Sequence, residues 1–356
     1  MIETMRILVD VMGGDLAPLE TVKGVCDAAK EFSAEYIIIG DRDQIERVAV
    51  ENHLDLSSFT IIHTTDVMTM EDDPLSIRRA KKDSSMAVGL RMLANGEGDA
   101  FVSTGNTGAL FAGATLIVKR IRGIQRAALA TVLPGQNPVM LLDCGANVVV
   151  EPEYLEQFAL MGSIYMKKLF ALESPRVALL NNGSESCKGT PMHVETYQRL
   201  SKMEGIHFIG NMEANRFAFD TCDVLVTDGF TGNILLKGIE GLGKLMFGSI
   251  KSALKSSPMA TLGALLVKKP LKGMKKQLDP NEYGGAPLLG IAHPVIKAHG
   301  SSNAKAFKNA IRQAICYAES GMIEEISKEA AVIEEKRKQE REAARVEKTA
   351  STADPE

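Results

Sequence analysis

The chain has 356 residues, 45% of them hydrophobic, and a formal net charge of -4. That length and apolar content suffice for a sizeable core, in one large domain or two lobes, and the near-neutral balance gives no electrostatic reason to expect nucleic acid as the main partner. With no Trp and aromatics at only 5%, stacking platforms for bases are not expected either. The five cysteines (Cys26, Cys144, Cys187, Cys222 and Cys316) are scattered with no C-x-x-C pair, the pattern of free thiols in a reducing compartment. The start "MIETMRILVDVMGGD" carries an acid where an export signal is basic. No stretch reaches the roughly 20 apolar residues of a membrane span. The expected location is the cytoplasm.

The elements follow a regular alternation. Ile7–Val11 is a β-like run, followed by "MGGDLAP" and a helical "LETVKGVCDAAKEF". Next come "EYIIIG" as a strand, "RDQIERVAVEN" as a helix and "FTIIHTT" as a strand. Met86–Asn95 is helical, and the apolar runs Ala100–Ser103 and Leu116–Val118 flank a polar loop. "VMLLDC" is a strand, "EPEYLEQFALMGSIYMKKLF" a long helix with an acidic start, "RVALLN" a strand, "PMHVETYQRLSKM" a helix, and "IHFIGN" and "CDVLVT" strands. Repeated strand–helix–strand order predicts a three-layer α/β/α unit around a mainly parallel sheet. One catalytic unit is expected over residues 1–325. Within it, residues 246–278 form a Lys-rich amphipathic insertion carrying Lys251, Lys255, Lys268, Lys269, Lys272, Lys275 and Lys276. Residues 326–356 are highly charged and rich in helix formers, and read as an exposed helix fraying into a partly disordered tail.

In a parallel α/β sheet, ligands bind beyond the carboxyl ends of the strands. Five strand ends here lead into short polar turns. These are Gly13-Gly14-Asp15, Gly105-Asn106-Thr107-Gly108, Asp143-Cys144-Gly145-Ala146-Asn147, Asn181-Asn182-Gly183 with the following Lys188, and Asp228-Gly229-Phe230-Thr231-Gly232-Asn233. A glycine after a strand is ordinary turn chemistry. Five such turns, gathered at one edge, predict a cleft floored by backbone N–H groups and helix N-termini, which favours anions.

No G-x-S-x-G elbow, no Walker pattern and no H-E-x-x-H or Cys/His cluster is present. A serine hydrolase, a nucleotide triphosphatase and a metal site are therefore not signalled, and no metal or cofactor is expected. Uncharged donors with few bases suit a reaction whose nucleophile is already ionised. Inorganic phosphate is such a nucleophile, and a thioester is a matching electrophile, because its thiol leaves with a pKa of about 8.5. The tasks left to the protein are positioning, which can supply about 7–11 kcal/mol, and oxyanion stabilisation, at about 3–4 kcal/mol per donor.

The motifs "VDVMGGDLAP", "DDPLSIRRAKKDSSM", "STGNTGAL", "LDCGAN", "TDGFTGNILLKGIEG", "EYGGAPLLG" and "KAHGSSN" together closely resemble the bacterial PlsX family, in order and over nearly all of the chain to about Gly321. The sequence departs from that pattern at Val11, Thr104 and Cys144 and over Asn211–Phe217. The resemblance implies an acyl-acyl carrier protein:phosphate acyltransferase, which makes acyl phosphate for phospholipid synthesis. It also implies a homodimer, a fold like the isocitrate/isopropylmalate dehydrogenases and phosphotransacetylase, and, for some members, peripheral contact with the membrane.

On this reading Gly13, Gly14, Asn106, Thr107 and Gly108 bind anions at helix starts, and Asp10, Phe230, Thr231 and Gly232 belong to the same substrate- and phosphate-binding set. Asn147 and Asn233 are candidate phosphate or oxyanion donors, and Lys188 is the candidate cation on phosphate. Asp228 orients donors or Lys188, Asp15 belongs to the substrate- or phosphate-binding set or else caps the first helix, and His299 protonates the leaving thiolate. The Lys-rich region, Lys251–Lys276, docks acidic acyl carrier protein, lies on anionic lipid, or forms a solvated helix pair at a dimer surface. Three rivals stay open: a phosphotransacetylase acting on acyl-coenzyme A, a metal- and NAD-dependent decarboxylating dehydrogenase on the same fold, and a scaffold without catalysis.

Overall fold

A computed structural model describes residues 4–219, 221–277 and 284–351. In chain order its elements are β1 (Arg6–Asp10), α1 (Leu19–Ala29), β2 (Glu35–Gly40), α2 (Arg42–Glu51), β3 (Thr60–His63), α3 (Ser85–Ala94), β4 (Ala100–Ser103), α4 (Thr107–Gly113), β5 (Ala128–Leu133) and β6 (Val139–Leu142). Then follow α5 (Pro152–Leu169), β7 (Arg176–Asn181), α6 (Pro191–Leu200), β8 (His207–Glu213), β9 (Val224–Val226), α7 (Gly229–Ala253), α8 (Pro258–Gln277), β10 (Ala286–Leu289), β11 (Val295–Lys297), α9 (Ala304–Glu319) and α10 (Met322–Ser351). The strands join in one sheet, ordered β3-β2-β1-β4-β11-β10-β5-β6-β9-β7-β8.

Side chains alternate across the sheet with period two. Ile7, Val9, Val102 and Ile296 face one core with Val25 of α1, Phe158 of α5, Phe307 of α9 and Ile326 of α10. Leu8, Phe101, Leu141 and Val295 face the other core with Leu90 of α3 and Leu110 of α4, against which Leu235 and Leu236 of α7 pack. Strands buried on both faces read as continuous apolar runs, which is why they were legible in the sequence. The expected three-layer α/β/α architecture with a mainly parallel sheet is the one observed.

The expectation of one edge carrying all the polar turns is overturned. β1, β2, β3, β4 and β11 run one way. Three antiparallel pairings then follow in succession, β11–β10, β10–β5 and β5–β6. An odd number of reversals leaves β6, β9, β7 and β8 running the opposite way. The polar turns therefore fall into two groups at opposite carboxyl ends. Leu116–Val118 is not extended: the chain continues from α4 through a π-helical turn over Ala114–Val118.

α7 joins the two ends. It starts beyond β9, packs across β5 and β6, and continues outward into α8. Both helices expose apolar side chains: Leu242, Leu245 and Met246 on the first, Met259, Leu262, Leu265, Leu266 and Val267 on the second. Of the "EYGGAPLLG" motif, Glu282 and Tyr283 lie outside the described residues, as do residues 352–356 of the charged end. The first turns of α10 are part of the core, with Ile326 and Ala330 buried and Lys168 of α5 paired to Glu325 at 2.7 Å.

Candidate active site

At the end of β6, Asp143 is fully buried. Its Oδ1 accepts the N–H groups of Leu129 (3.1 Å), Gly145 (3.2 Å) and Ala146 (3.1 Å). Its Oδ2 accepts Asn147 N–H at 2.6 Å and Asn147 Nδ2–H at 2.8 Å. Burial pushes this carboxyl above its ordinary range, and the bonds from Asn147, Ala146 and Leu129 pull it back. The turn's N–H groups thus hold the protein's own carboxylate. The second amide hydrogen of Asn147 goes to Ala127 O at 2.8 Å. Asn147 therefore has no side-chain hydrogen left for an oxyanion, and its expected donor role gives way to one in ordering the turn.

The first turn of α7 docks on this knot. Gly229 N–H donates to Asn147 O at 2.7 Å. Gly232 is so close that a Cβ would meet Asp143 O at 1.9 Å, which leaves glycine alone sterically possible. Asp228 is the helix cap: its Oδ1 accepts Thr231 N–H at 2.8 Å and its Oδ2 the Thr231 hydroxyl at 2.7 Å. It makes no ion pair with Lys188 among the described residues, so it orients its own helix rather than that lysine. Phe230 is 58% exposed. Asn233, also exposed, stands 3.9 Å from the Cβ position of Gly145 and makes no side-chain hydrogen bond among the described residues.

Lys188 lies in the loop between β7 and α6. That loop is held by Asn181 Nδ2–H to Lys188 O (3.1 Å) and Asn211 Nδ2–H to Glu185 O (2.7 Å). The lysine is exposed and makes no ion pair among the described residues. Beside it His193 accepts at Nδ1 from Thr190, whose hydroxyl lies 2.8 Å away. Burial lowers the His193 pKa and the Asp228 carboxylate raises it, which ties this loop to the start of α7. The sequence offered no sign of His193 beyond a polar residue in a helix. Among the described residues, Lys188, Asn233 and the Phe230 N–H of the first helical turn are uncommitted donors at this end.

At the opposite end the turn after β1 is also filled from within. Asp10 is 1% exposed. It accepts Ser103 Oγ–H at 2.7 Å and Met12 N–H at 3.1 Å, and Gly13 N–H also reaches it. Burial raises its pKa, against these hydrogen bonds. The Thr104 hydroxyl donates to Gly13 O. Gly14 has φ +92 and no room for a Cβ beside Thr104 and Gly300 O. Asp15 does not cap α1, which has no side-chain cap; its own N–H donates to Gly300 O at 2.8 Å. Asn106 caps α4 through Ala109 N–H (3.1 Å) and donates to Thr69 O (3.1 Å) and Met70 O (3.3 Å). Its amide is fully used, so it is a structural cap rather than an anion donor. Thr107 and Gly108 open α4, with Pro74 packed over Gly108.

His299 follows β11. Its Nδ1 accepts Ser301 N–H at 3.2 Å and lies 2.9 Å from the Ser301 hydroxyl, which leaves the proton on Nε2. Burial, Lys237, Lys297 and Lys244 lower the ring's pKa, and Glu240 opposes them. A ring held neutral donates a hydrogen bond but cannot act as an imidazolium acid. The expected protonation of a leaving thiolate therefore becomes hydrogen-bond donation. The influence of Lys237 and Lys244 also shows that the turn after β11 approaches α7, the element anchored at the other end. Asp143, Ser103 and Lys297 were not singled out from the sequence, although each stands as a polar residue closing an apolar run.

The profile of a family described as fatty acid synthesis protein matches residues 5–325. A phosphate acyltransferase of Thermoanaerobacterium thermosaccharolyticum is 46% identical over 330 residues, covering 92% of this chain and 98% of that one. A phosphate acyltransferase of Clostridioides difficile is 43% identical over 325 residues, covering 91% and 95%. Among solved structures, a phosphotransacetylase from Streptococcus pyogenes superimposes with a TM-score of 0.61 at 17% identity, covering 89% of this chain and 95% of that chain. A 4-hydroxythreonine-4-phosphate dehydrogenase from Klebsiella pneumoniae does so at 0.55 and 10% identity, covering 89% and 100%. The two structural likenesses establish the fold.

Proposed function

This chain belongs to the fatty acid synthesis protein family, the PlsX family of its sequence motifs, and is an acyltransferase; we propose that it moves a fatty acyl group from acyl-acyl carrier protein to inorganic phosphate, making acyl phosphate for phospholipid synthesis. What supports a phosphate site here is adjacency: β7 and β9 are parallel neighbours, so the loop carrying Lys188 and the start of α7 carrying Asn233 follow side by side, and the Asp228 carboxylate acts on His193 in the helix after that loop. There a cation and an amide stand uncommitted, while the N–H groups of the turn after β6 are held by Asp143.

Phosphate lies against Lys188 and the orphan Phe230 N–H, where the α7 dipole favours an anion. One phosphate oxygen attacks the thioester carbonyl. The C–O bond forms, the carbonyl pair moves onto oxygen, and Asn233 donates to that oxyanion. Collapse expels the carrier's thiolate, which needs little assistance at neutral pH. His299, neutral and protonated at Nε2, donates a hydrogen bond across the cleft from beyond β11. Asp228 keeps the first turn of α7 in place.

The chain works as a homodimer in the cytoplasm and touches anionic membrane through Met259, Leu262, Leu265 and Leu266 with Lys268 and Lys269 at its exposed helix pair. No helix of the described residues is long and apolar enough to cross a membrane. The donor is tested by measuring thiol release from long-chain acyl carrier protein and from acyl-coenzyme A, each with and without phosphate. Phosphate-dependent release from the carrier protein supports the proposal. Release from coenzyme A alone would make the protein a phosphotransacetylase, and release without phosphate would remove the acyl phosphate product.

A further inference from the structure

Beneath the turn after β11 lies a charged group that the reaction above does not use. Lys297 is only 6% exposed. Its place is set by register: Lys297 pairs with Ser103 of β4, and Ser103 with Asp10 of β1. In-register residues of parallel strands point to one face. The polar row Asp10–Ser103–Lys297 therefore closes the apolar row Leu8–Phe101–Val295, on the face that carries α7.

Lys297 Nζ donates to Thr104 O at 3.1 Å and to Ala298 O. The Thr104 hydroxyl reaches Gly13 O, and Ser103 Oγ accepts Gly105 N–H at 3.0 Å. One ammonium thus ties the turn after β11 to the turn after β4, and through Thr104 to the turn after β1. It makes no ion pair among the described residues. A buried ammonium held only by carbonyls is costly, whereas a methionine would fill much the same space without a charge. Retention of lysine in such a place calls for a task that needs its charge or its N–H groups.

That task lies two residues on, at His299. We propose that Lys297 is a positioning residue for His299, locking from below the turn that carries the imidazole and facing that ring with a fixed positive charge. This rests on the reading of His299 as a hydrogen-bond donor in acyl transfer. The charged groups around Lys297 are Asp10 from β1, Asp15 from the turn before α1, and His299 itself. Around His299 they are Lys237, Glu240 and Lys244 from α7, with Lys297. Burial lowers the Lys297 pKa to about 8, with Asp10 and Asp15 opposing, so the ammonium is charged over the range in which His299 titrates.

The test is an NMR titration of the His299 Cε1–H signal, assigned with His299→Gln, in the wild type and in Lys297→Met. The expected result is a His299 midpoint about half a pH unit or more higher in Lys297→Met. A kcat for acyl phosphate formation at least about tenfold lower, with little change in KM for phosphate, should accompany it. An unmoved midpoint with wild-type kcat would overturn the proposal. Should Lys297→Met fail to fold, the wild type decides: its His299 signal must show a second, smaller step near pH 8 as Lys297 loses its proton, and a single-step curve overturns the proposal. Full activity in His299→Gln would instead remove the catalytic reading of His299, and the two failures are told apart because the titration shift then persists.

Discussion

Asp10, Asp143 and Asp228 each stand at or just past the carboxyl end of a strand, and each commits at least one oxygen to the backbone that follows. Asp143 holds four backbone N–H groups and one side-chain amide. Asp143→Ala leaves the buried N–H groups of Leu129 and Asn147 without partners and should destabilise the fold by about 3 kcal/mol in urea unfolding; a loss below about 1 kcal/mol would contradict the assignment. Lys188 is the opposite case, an uncommitted cation. Lys188→Ala should lower the rate of acyl phosphate formation by more than tenfold, about 1.4 kcal/mol of transition-state stabilisation, without changing unfolding; an unchanged rate would take Lys188 out of the site. Lys297 links stability to pH. Its folded pKa of about 8 lies below the ordinary 10.5, so between those values the folded chain binds fewer protons than the unfolded one. Wild-type stability relative to Lys297→Met should therefore rise through that window, by up to about 3 kcal/mol, and a flat difference would contradict the burial of a charged lysine. Sequence alone gave the residue types of the turns but not their hydrogen-bond partners. Asn106, Asn147 and Asn233 look alike on the page, yet only Asn233 keeps its amide free.

At the scale of elements, α7 carries the most. Gly232 admits it to the end of β6, so Gly232→Ala should lift the helix start away from Asp143 and depress both activity and stability; wild-type values of both would show that the close approach is not needed. The exposed pair α7–α8 is expected to meet lipid through Leu262 and its neighbours. Leu262→Glu with charge reversal at Lys268 and Lys269 should abolish co-sedimentation with anionic vesicles, and undiminished co-sedimentation would count against membrane contact. Most helices and the strands buried on both faces were readable from periodicity. The strand order was not, because which strand pairs with which is a long-range choice. Nothing in "ALATVL" or "APLL" announces that β5 and β10 reverse the sheet's direction. Leu116–Val118, a β-branched and leucine run, reads as extended locally, but continuity with α4 makes it helical.

On the scale of the whole molecule, the reversal of the sheet sends the polar turns to two opposed ends, and the proposed site spans both along α7. This suits a reaction that must bring a small anion and a carrier-bound thioester together from different directions. The family motifs made the activity legible well before the geometry was, because they mark the turns at both ends without saying that the ends are opposed. Light scattering should return twice the 38.5 kDa chain mass, and a monomer at working concentration would remove the proposed dimer. The central claim is that phosphate itself is the nucleophile, held by Lys188 and the start of α7. It is tested most directly by incubating the protein with long-chain acyl carrier protein and fully 18O-labelled phosphate, then weighing the acyl phosphate by mass spectrometry. The account expects a product that retains all four heavy oxygens, formed in step with free carrier thiol and lost in Lys188→Ala. A product with only three heavy oxygens, or thiol release without acyl phosphate, would contradict it.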